Sequence, residues 1–443
     1  MEMTTWRKLG LTGLLVYTAS LEGSFTGVLG PTLPALQCLF GTDLKTISII
    51  FFVFGMMNAL GSVLGCFLLA KLELHLVMSA ATTIALASQC VFPFLDSVYS
   101  AIVMSAITAL CIGVLFNSRI FRADDLWPHQ PFAVHLVIAG FAMGPIIASL
   151  VAAPFLHEQE SPPNMTTPIT EDGSLCPNET HRVQYVYVIL ASSGVPLSII
   201  MFVLYTYFRQ RSPSYSTIFE SRSTGDSYNN RRGYTLFLVF FYLLCMPAGG
   251  IFVTYGNLLS TYGVNSAMNI STSYMALITA LFWGAFVTGR ITMTVISIFI
   301  RQIWIIIVCY IGLFSASIML IVFGRESETW LACVTAFFGF FCAPFSALSF
   351  SWAREHVQLT GFVIALGSVG EYTGAMVGPY VGGVLIGTYG SDAFLYVVLG
   401  IVTYQCSMFC CFYFIGKYVL DKRVDERIQM LQTNASDSSS NSD

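Results

Sequence analysis

RQRSPSYSTIFESRSTGDSYNNRRG, Arg209–Gly233, is the stretch that organises the chain. It carries five Arg against Glu220 and Asp226, is rich in Ser and Tyr, and falls close to the middle of the 443 residues. On either side the character reverses. Six apolar runs precede it, near Leu9–Leu33, Leu44–Ala70, Leu74–Leu95, Val98–Phe121, Pro131–Leu156 and Gln184–Phe208. Six follow, near Tyr234–Ser260, Ser271–Ile300, Ile303–Phe323, Trp330–Trp352, Gln358–Gly387 and Ala393–Tyr418. A helix needs roughly 20 mostly apolar residues to cross a bilayer, and each run meets that length. The expected fold class is an all-α membrane protein with twelve transmembrane helices in two six-helix halves, 1–208 and 234–420. Residues 209–233 read as a cytoplasmic linker and 421–443 as a disordered cytoplasmic tail.

Composition agrees. The chain is 55% apolar and 10% charged, with a mean hydropathy of +0.72, whereas soluble domains carry about 25% charged residues. Most of its surface therefore meets lipid. A net charge of −4 without a basic face excludes nucleic-acid binding. The first run is too long for a signal-peptide core and lacks a small-residue exit, so it reads as a retained span. Ten of the 12 cysteines sit inside apolar runs as packing residues. Cys38 and Cys176 fall outside the membrane, where a disulfide between them is one open alternative. No Cys/His spacing has zinc-ligand form, so no metal site is expected.

With a cytoplasmic N-terminus, 16 of the 20 Lys and Arg fall in inside loops, Arg119 and Arg122 among them, three fall outside, and Arg290 lies within a span. The positive-inside rule then places both termini in the cytoplasm, which requires an even span count. The external loop 157–183 holds two glycosylation sequons, Asn164-Met-Thr and Asn178-Glu-Thr, as expected of a cell-surface or endomembrane glycoprotein. Plasma membrane is the favoured location.

A charge within a span costs at least ~2.5–3.5 kcal/mol, so each one needs a reason. Glu22, Arg290 and Glu371 lie about 21, 16 and 20 Å from the nearest inner-side marker at the helical rise, which converges on the middle third of the membrane. Two carboxylates and one guanidinium leave one negative charge over, and a desolvated carboxylate takes a proton or binds a cation. That is an ion-coupling site or a charged gate; the alternative is a buried Arg290–carboxylate pair that fixes helix register. Asn58, Gln89, Asn117, His135, Asn257 and Gln405 are further polar groups inside spans. They suit a polyhydroxylated solute, because each hydroxyl both donates and accepts, and they equally suit interhelical bonding. Trp283, deep in the eighth run, is the aromatic chosen for stacking on a sugar. Asn58, Asn117, His135, Asn257 and Trp283 form the candidate substrate-binding set.

Small residues mark contacts and bends. Gly61 and Gly65, and Gly374, Gly378 and Gly382, are spaced for close helix approach. Gly144-Pro145, Pro247 with Gly249-Gly250, and Gly378-Pro379 are expected to interrupt their helices.

Several stretches together carry a resemblance: Val28-Leu-Gly-Pro-Thr-Leu33, Gly61-Ser-Val-Leu-Gly65, His135 running to Pro145, Leu281-Phe-Trp-Gly284 running to Thr288-Gly-Arg290, and Gly367-Ser-Val-Gly-Glu371. The chain resembles the sodium-dependent glucose transporter family of the major facilitator superfamily, a fucose-permease-related branch, over essentially all twelve spans. The resemblance implies hexose transport coupled to sodium by alternating access between two halves, with Arg290, Glu371, Trp283 and His135 matching the family pattern. In the fourth span the family's acidic residue is missing, and Gly113 leads to Phe116-Asn-Ser-Arg119. Glu22 is an extra acid in the same half and is expected to replace that charge.

The resulting expectation is a monomeric carrier of a hexose with no cofactor, for which sodium or a proton is the coupling ion and the lipid bilayer the surrounding partner. Alternatives are an uncoupled or proton-coupled carrier of another small organic solute, and a non-transporting nutrient sensor. No nucleophile–base or metal constellation suggests an enzyme.

Overall fold

The computed structural model describes residues 5–127, 132–156, 182–208, 231–297, 299–345, 349–350, 353 and 361–415. Residues 209–230 of the expected linker, the sequons at Asn164 and Asn178, Cys176 and the tail lie outside the described residues, while 231–233 are helical. Among those described the architecture is all helix, with no strand. Helices before the linker are α1 (Thr5–Gly27), α2 (Leu29–Phe40), α3 (Leu44–Ile47), α4 (Ile49–Lys71), α5 (Leu74–Val91), α6 (Val98–Leu126), α7 (Phe132–Ala152), α8 (Val183–Ser193) and α9 (Val195–Phe208). After it come α10 (Arg231–Asn265), α11 (Thr272–Ile296), α12 (Gln302–Phe323), α13 (Glu328–Cys342), α14 (Gly361–Tyr389) and α15 (Ala393–Ile415). Among the described residues nine segments are long and apolar enough to cross a membrane. The three other expected runs are helical as well, as α1 continuing into α2, as α13 and as α14.

Helix starts follow local chemistry. Asp43, Glu73, Ser97, Ser271 and Ser327 each cap a following backbone N–H, which satisfies donors left free in the first turn. Gly41 ends α2 at φ +58°, a conformation that costs glycine nothing.

Three expectations need correction. The Gly-Pro sites do not interrupt their helices, because Pro145, Pro247 and Pro379 lie inside continuous α7, α10 and α14. Ser20 and Ser24 on α1 donate to the Gly140 and Gly144 carbonyls of α7 at 2.8 and 3.0 Å, which ties α1 to α7 on either side of the Phe141 carbonyl that Pro145 leaves without its helical donor. Observed breaks within the expected runs fall instead at Val28, Ser48 and Gly194. The fourth span does not end at Phe121, since α6 runs on to Leu126 and carries Arg119 and Arg122 inside the helix. Arg119 is therefore not a loop residue; it is 1% exposed.

Close approach is built on small residues. Gly61 on α4 and Gly113 on α6 face each other so tightly that a Cβ on either would meet the partner's backbone, and Gly374 on α14 meets the Met246 carbonyl of α10 in the same way. An aromatic core fills the second set, with Tyr255 stacked on Phe338 at 4.2 Å and its hydroxyl 2.9 Å from Thr335. Contacts between the two sets include α2 on α10, where Gly30 meets Gly256 and Asn257, and α4 on α14, where Phe52 and Tyr380 sit 5.5 Å apart. Ser48 and Lys45 face Gly383 and Gly387, and Ser273 donates to the Ala153 carbonyl at 2.8 Å. By helix direction, the contacts at Lys45, Ser48, Ala153 and Ser273 lie at the end remote from Thr5 and Ile415. Cys38, at that same end, is disulfide-bonded, while every other described cysteine is a free thiol.

Candidate functional site

Four charged side chains meet where the two sets face each other. Glu22, on the inner face of α1, is 2% exposed. Arg119 reaches it from α6, donating from Nη1 to Glu22 Oε2. Phe116 and Phe141 flank the guanidinium, with ring centroids 5.0 and 5.8 Å from its carbon. Burying two charges is tolerable only when each satisfies the other, and here the pairing is one-sided. Glu22 Oε1 and Arg119 Nε are buried with no hydrogen-bond partner among the described residues.

Arg290 on α11 and Glu371 on α14 form the second pair, both half-buried and close enough for their charges to act on each other. The α10–α14 crossing sets the position of Glu371, because Gly249 of α10 lies directly against its backbone. Its neighbour Tyr372 crosses to the first set. The ring stands edge-on to Phe116 at 6.1 Å, the hydroxyl interacts with Ser62 of α4, and the side chain lies within the fields of Arg119, Glu371 and Glu22. The charges thus run Glu22, Arg119, Tyr372, Glu371, Arg290 across the interface.

This changes the charge count expected from sequence. Two carboxylates now face two guanidinium groups, so no negative charge is left over among the described side chains. Sequence reasoning missed Arg119 because it sits at the cytoplasmic end of its apolar run, two residues before Phe121, where a basic residue reads as part of the inside loop. Two signals pointed to it: no Gly or Pro breaks the chain between Gly113 and Trp127, and Arg119 lies about 12 Å inside the end of such a helix.

The neutral candidates fall into two groups. On α4 and α6, Asn117 donates its amide to the Ser62 carbonyl and to Cys66 Sγ, the latter at 3.2 Å, which is interhelical bonding. Asn58, one turn before Ser62, has a buried Oδ1 without a partner. On α10 and α11, Trp283 and Asn257 are each 5% exposed, and the Trp283 ring packs against Gly256. Phe252, Phe282 and Phe286 surround the indole at 6.1, 5.1 and 5.5 Å, yet its Nε1–H is buried with no acceptor. Such a donor costs roughly 1–3 kcal/mol until something accepts from it. His135 lies on α7, but its side chain is outside the described set. No group of three or more metal-binding side chains occurs among the described residues.

A family model described as the Major Facilitator Superfamily matches residues 15–379. Among curated relatives, "Sodium-dependent glucose transporter 1" of Xenopus laevis is 25% identical over 411 residues, covering 91% of this chain and 81% of that protein. "Major facilitator superfamily domain-containing protein 4A" of Homo sapiens is 24% identical over 447 residues, covering 84% and 85%. The solved structure of the xylose transporter XylE from E. coli, in a partially occluded inward open conformation, superposes with a TM-score of 0.64 at 12% identity, covering 93% of this chain and 99% of that one. Paired helical sets meeting over buried charges and a family match across most of the sequence agree: the chain is an integral, multi-pass membrane protein that belongs to the Major Facilitator Superfamily.

Proposed function

We propose that the protein carries a hexose across the membrane by alternating access, coupled to sodium through Glu371. The observation that carries this reading is the contrast between the two ion pairs. Glu22 and Arg119 are sealed, whereas Arg290 and Glu371 are half-buried at the interface of the two sets. A carboxylate in that setting can exchange Arg290 for a bound cation as the halves move. The buried Nε1–H of Trp283 and the Oδ1 of Asn58 supply one free donor and one free acceptor, the complement that a sugar hydroxyl needs. Asn257, Asn117 and His135 complete the solute-facing set in this reading. The printed names of the sodium-dependent glucose transporter relatives support both solute and ion. In this reading the protein is a monomer in the plasma membrane with both termini cytoplasmic, and a carrier rather than an enzyme.

The balanced charges favour one second reading, a carrier of the same solute without ion coupling. Uptake of labelled glucose into proteoliposomes, with and without an inward sodium gradient, separates the two. Stimulation by sodium that disappears in Glu371→Gln supports the coupled carrier. Equal uptake under both conditions establishes the uncoupled one, and no glucose uptake under any gradient rejects the hexose.

A further inference from the structure

We propose that Arg119 is a built-in cation at Glu22: its guanidinium holds the place that a sodium ion or a proton would take, so the first helical set exchanges no ion and coupling is confined to Glu371. The inference rests on the protein being a carrier, but not on sodium being its coupling ion.

A carboxylate as enclosed as Glu22 that lacked a cationic partner would hold a proton or capture a small cation. Glu22 has such a partner, supplied by the chain itself. Arg119 is 1% exposed and clasped between Phe116 and Phe141, so the partner cannot leave by diffusion. An arginine does not lose its proton in a protein, so the cation supplied to Glu22 is permanent. The unpaired Glu22 Oε1 and Arg119 Nε show that the guanidinium was not placed by ideal two-point docking. The registers of α1 and α6 bring the charges together.

Among the described side chains the surroundings offer no replacement. α14 contributes Tyr372, with Glu371 behind it, and α11 contributes Arg290, which is engaged with Glu371. The described side chains of α7 contribute the Phe141 ring, and one turn further along α6 Arg122 donates to Asp125 at 2.6 Å. Removing Arg119 alone thus leaves Glu22 with no competing cation among the described side chains, and a mobile one must enter.

The test uses the full-length protein, purified and reconstituted, as wild type, Arg119→Gln and the double variant Glu22→Gln/Arg119→Gln. Two quantities are read against sodium, with choline as the control, and between about pH 8 and about pH 5: the thermal unfolding midpoint and the rate of labelled-glucose exchange. In Arg119→Gln the midpoint should rise by about 3 °C or more at saturating sodium or at the acid end, a dependence beyond that of wild type. The double variant should lose this new dependence while keeping whatever sodium response wild type has. A folded Arg119→Gln with no new dependence on sodium or pH would overturn the proposal, as would loss of the wild-type sodium response in the double variant. If Arg119→Gln fails to fold, the double variant decides alone, since it leaves no uncompensated charge buried and its two amides can hydrogen-bond each other. If wild type moves no glucose, the functional reading fails, and the thermal measurement still decides the role of Arg119.

Discussion

Trp283 shows how a single side chain is at once legible and incompletely read. An indole deep in an apolar run singles itself out, and the structure places it against Gly256 with an N–H that has no acceptor. Trp283→Phe retains most of the ring and removes only the donor. If the N–H meets a sugar hydroxyl, the half-saturating glucose concentration should rise roughly 3- to 10-fold, as loss of one hydrogen bond predicts, with little change in the maximal rate. Uptake across a concentration series checks this, and a fall in maximal rate alone would refute a role in solute binding. Glu22, Arg290 and Glu371 were legible for the same reason as Trp283, because a charge inside a span needs an explanation. Arg119 was not, because a basic residue in the last turn of an apolar run looks like an ordinary membrane-edge anchor. Only the packing of α1 on α6 reveals which side of that boundary it occupies.

At the scale of helices, glycine spacing proved more readable than proline. Gly61 and Gly65 were expected to admit a close neighbour, and α6 lies there, its own Gly113 against the Asn58 carbonyl. Gly113→Val should force α4 and α6 apart and lower stability by ~1–3 kcal/mol or more, measured as a fall of several degrees in the unfolding midpoint. Gly284→Ala is the matched control. It lies in a quoted family motif, but a Cβ there meets nothing within 4 Å, so its midpoint should stay within about 1 °C of wild type, in keeping with the ±0.5 kcal/mol typical of uncrowded sites. Proline misled because its local rule is a rule about water-exposed helices. Inside the membrane, Pro145 packs against Gly27 while hydroxyls from α1 engage carbonyls of α7, and the helix continues. The sequence alone does not specify which neighbour supplies those hydroxyls.

Across the whole molecule, twelve apolar runs about a polar centre were enough to indicate the architecture, because the bilayer dictates the length of each span. What holds the two sets together was beyond reach, being a property of their pairing. Lys45 and Gly387 meet across the sets at the end remote from the termini, where a Cβ on Gly387 would lie 3.0 Å from Lys45 Cγ. A disulfide between cysteines placed at these two positions should stop glucose exchange under oxidising conditions and release it on reduction, whereas either cysteine alone should have no effect. Flux that persists in the fully cross-linked protein would show that this end need not open.

The balance of two Glu against two Arg at the interface has an electrical consequence. Moving one elementary charge through 100 mV is worth about 2.3 kcal/mol, but a frame whose own buried charges cancel presents no net charge to the field as it rocks. Voltage would then act on the cycle through its passengers. Each unit of current recorded across the membrane would count a cation carried with the solute, and an ion-free cycle would be electrically silent.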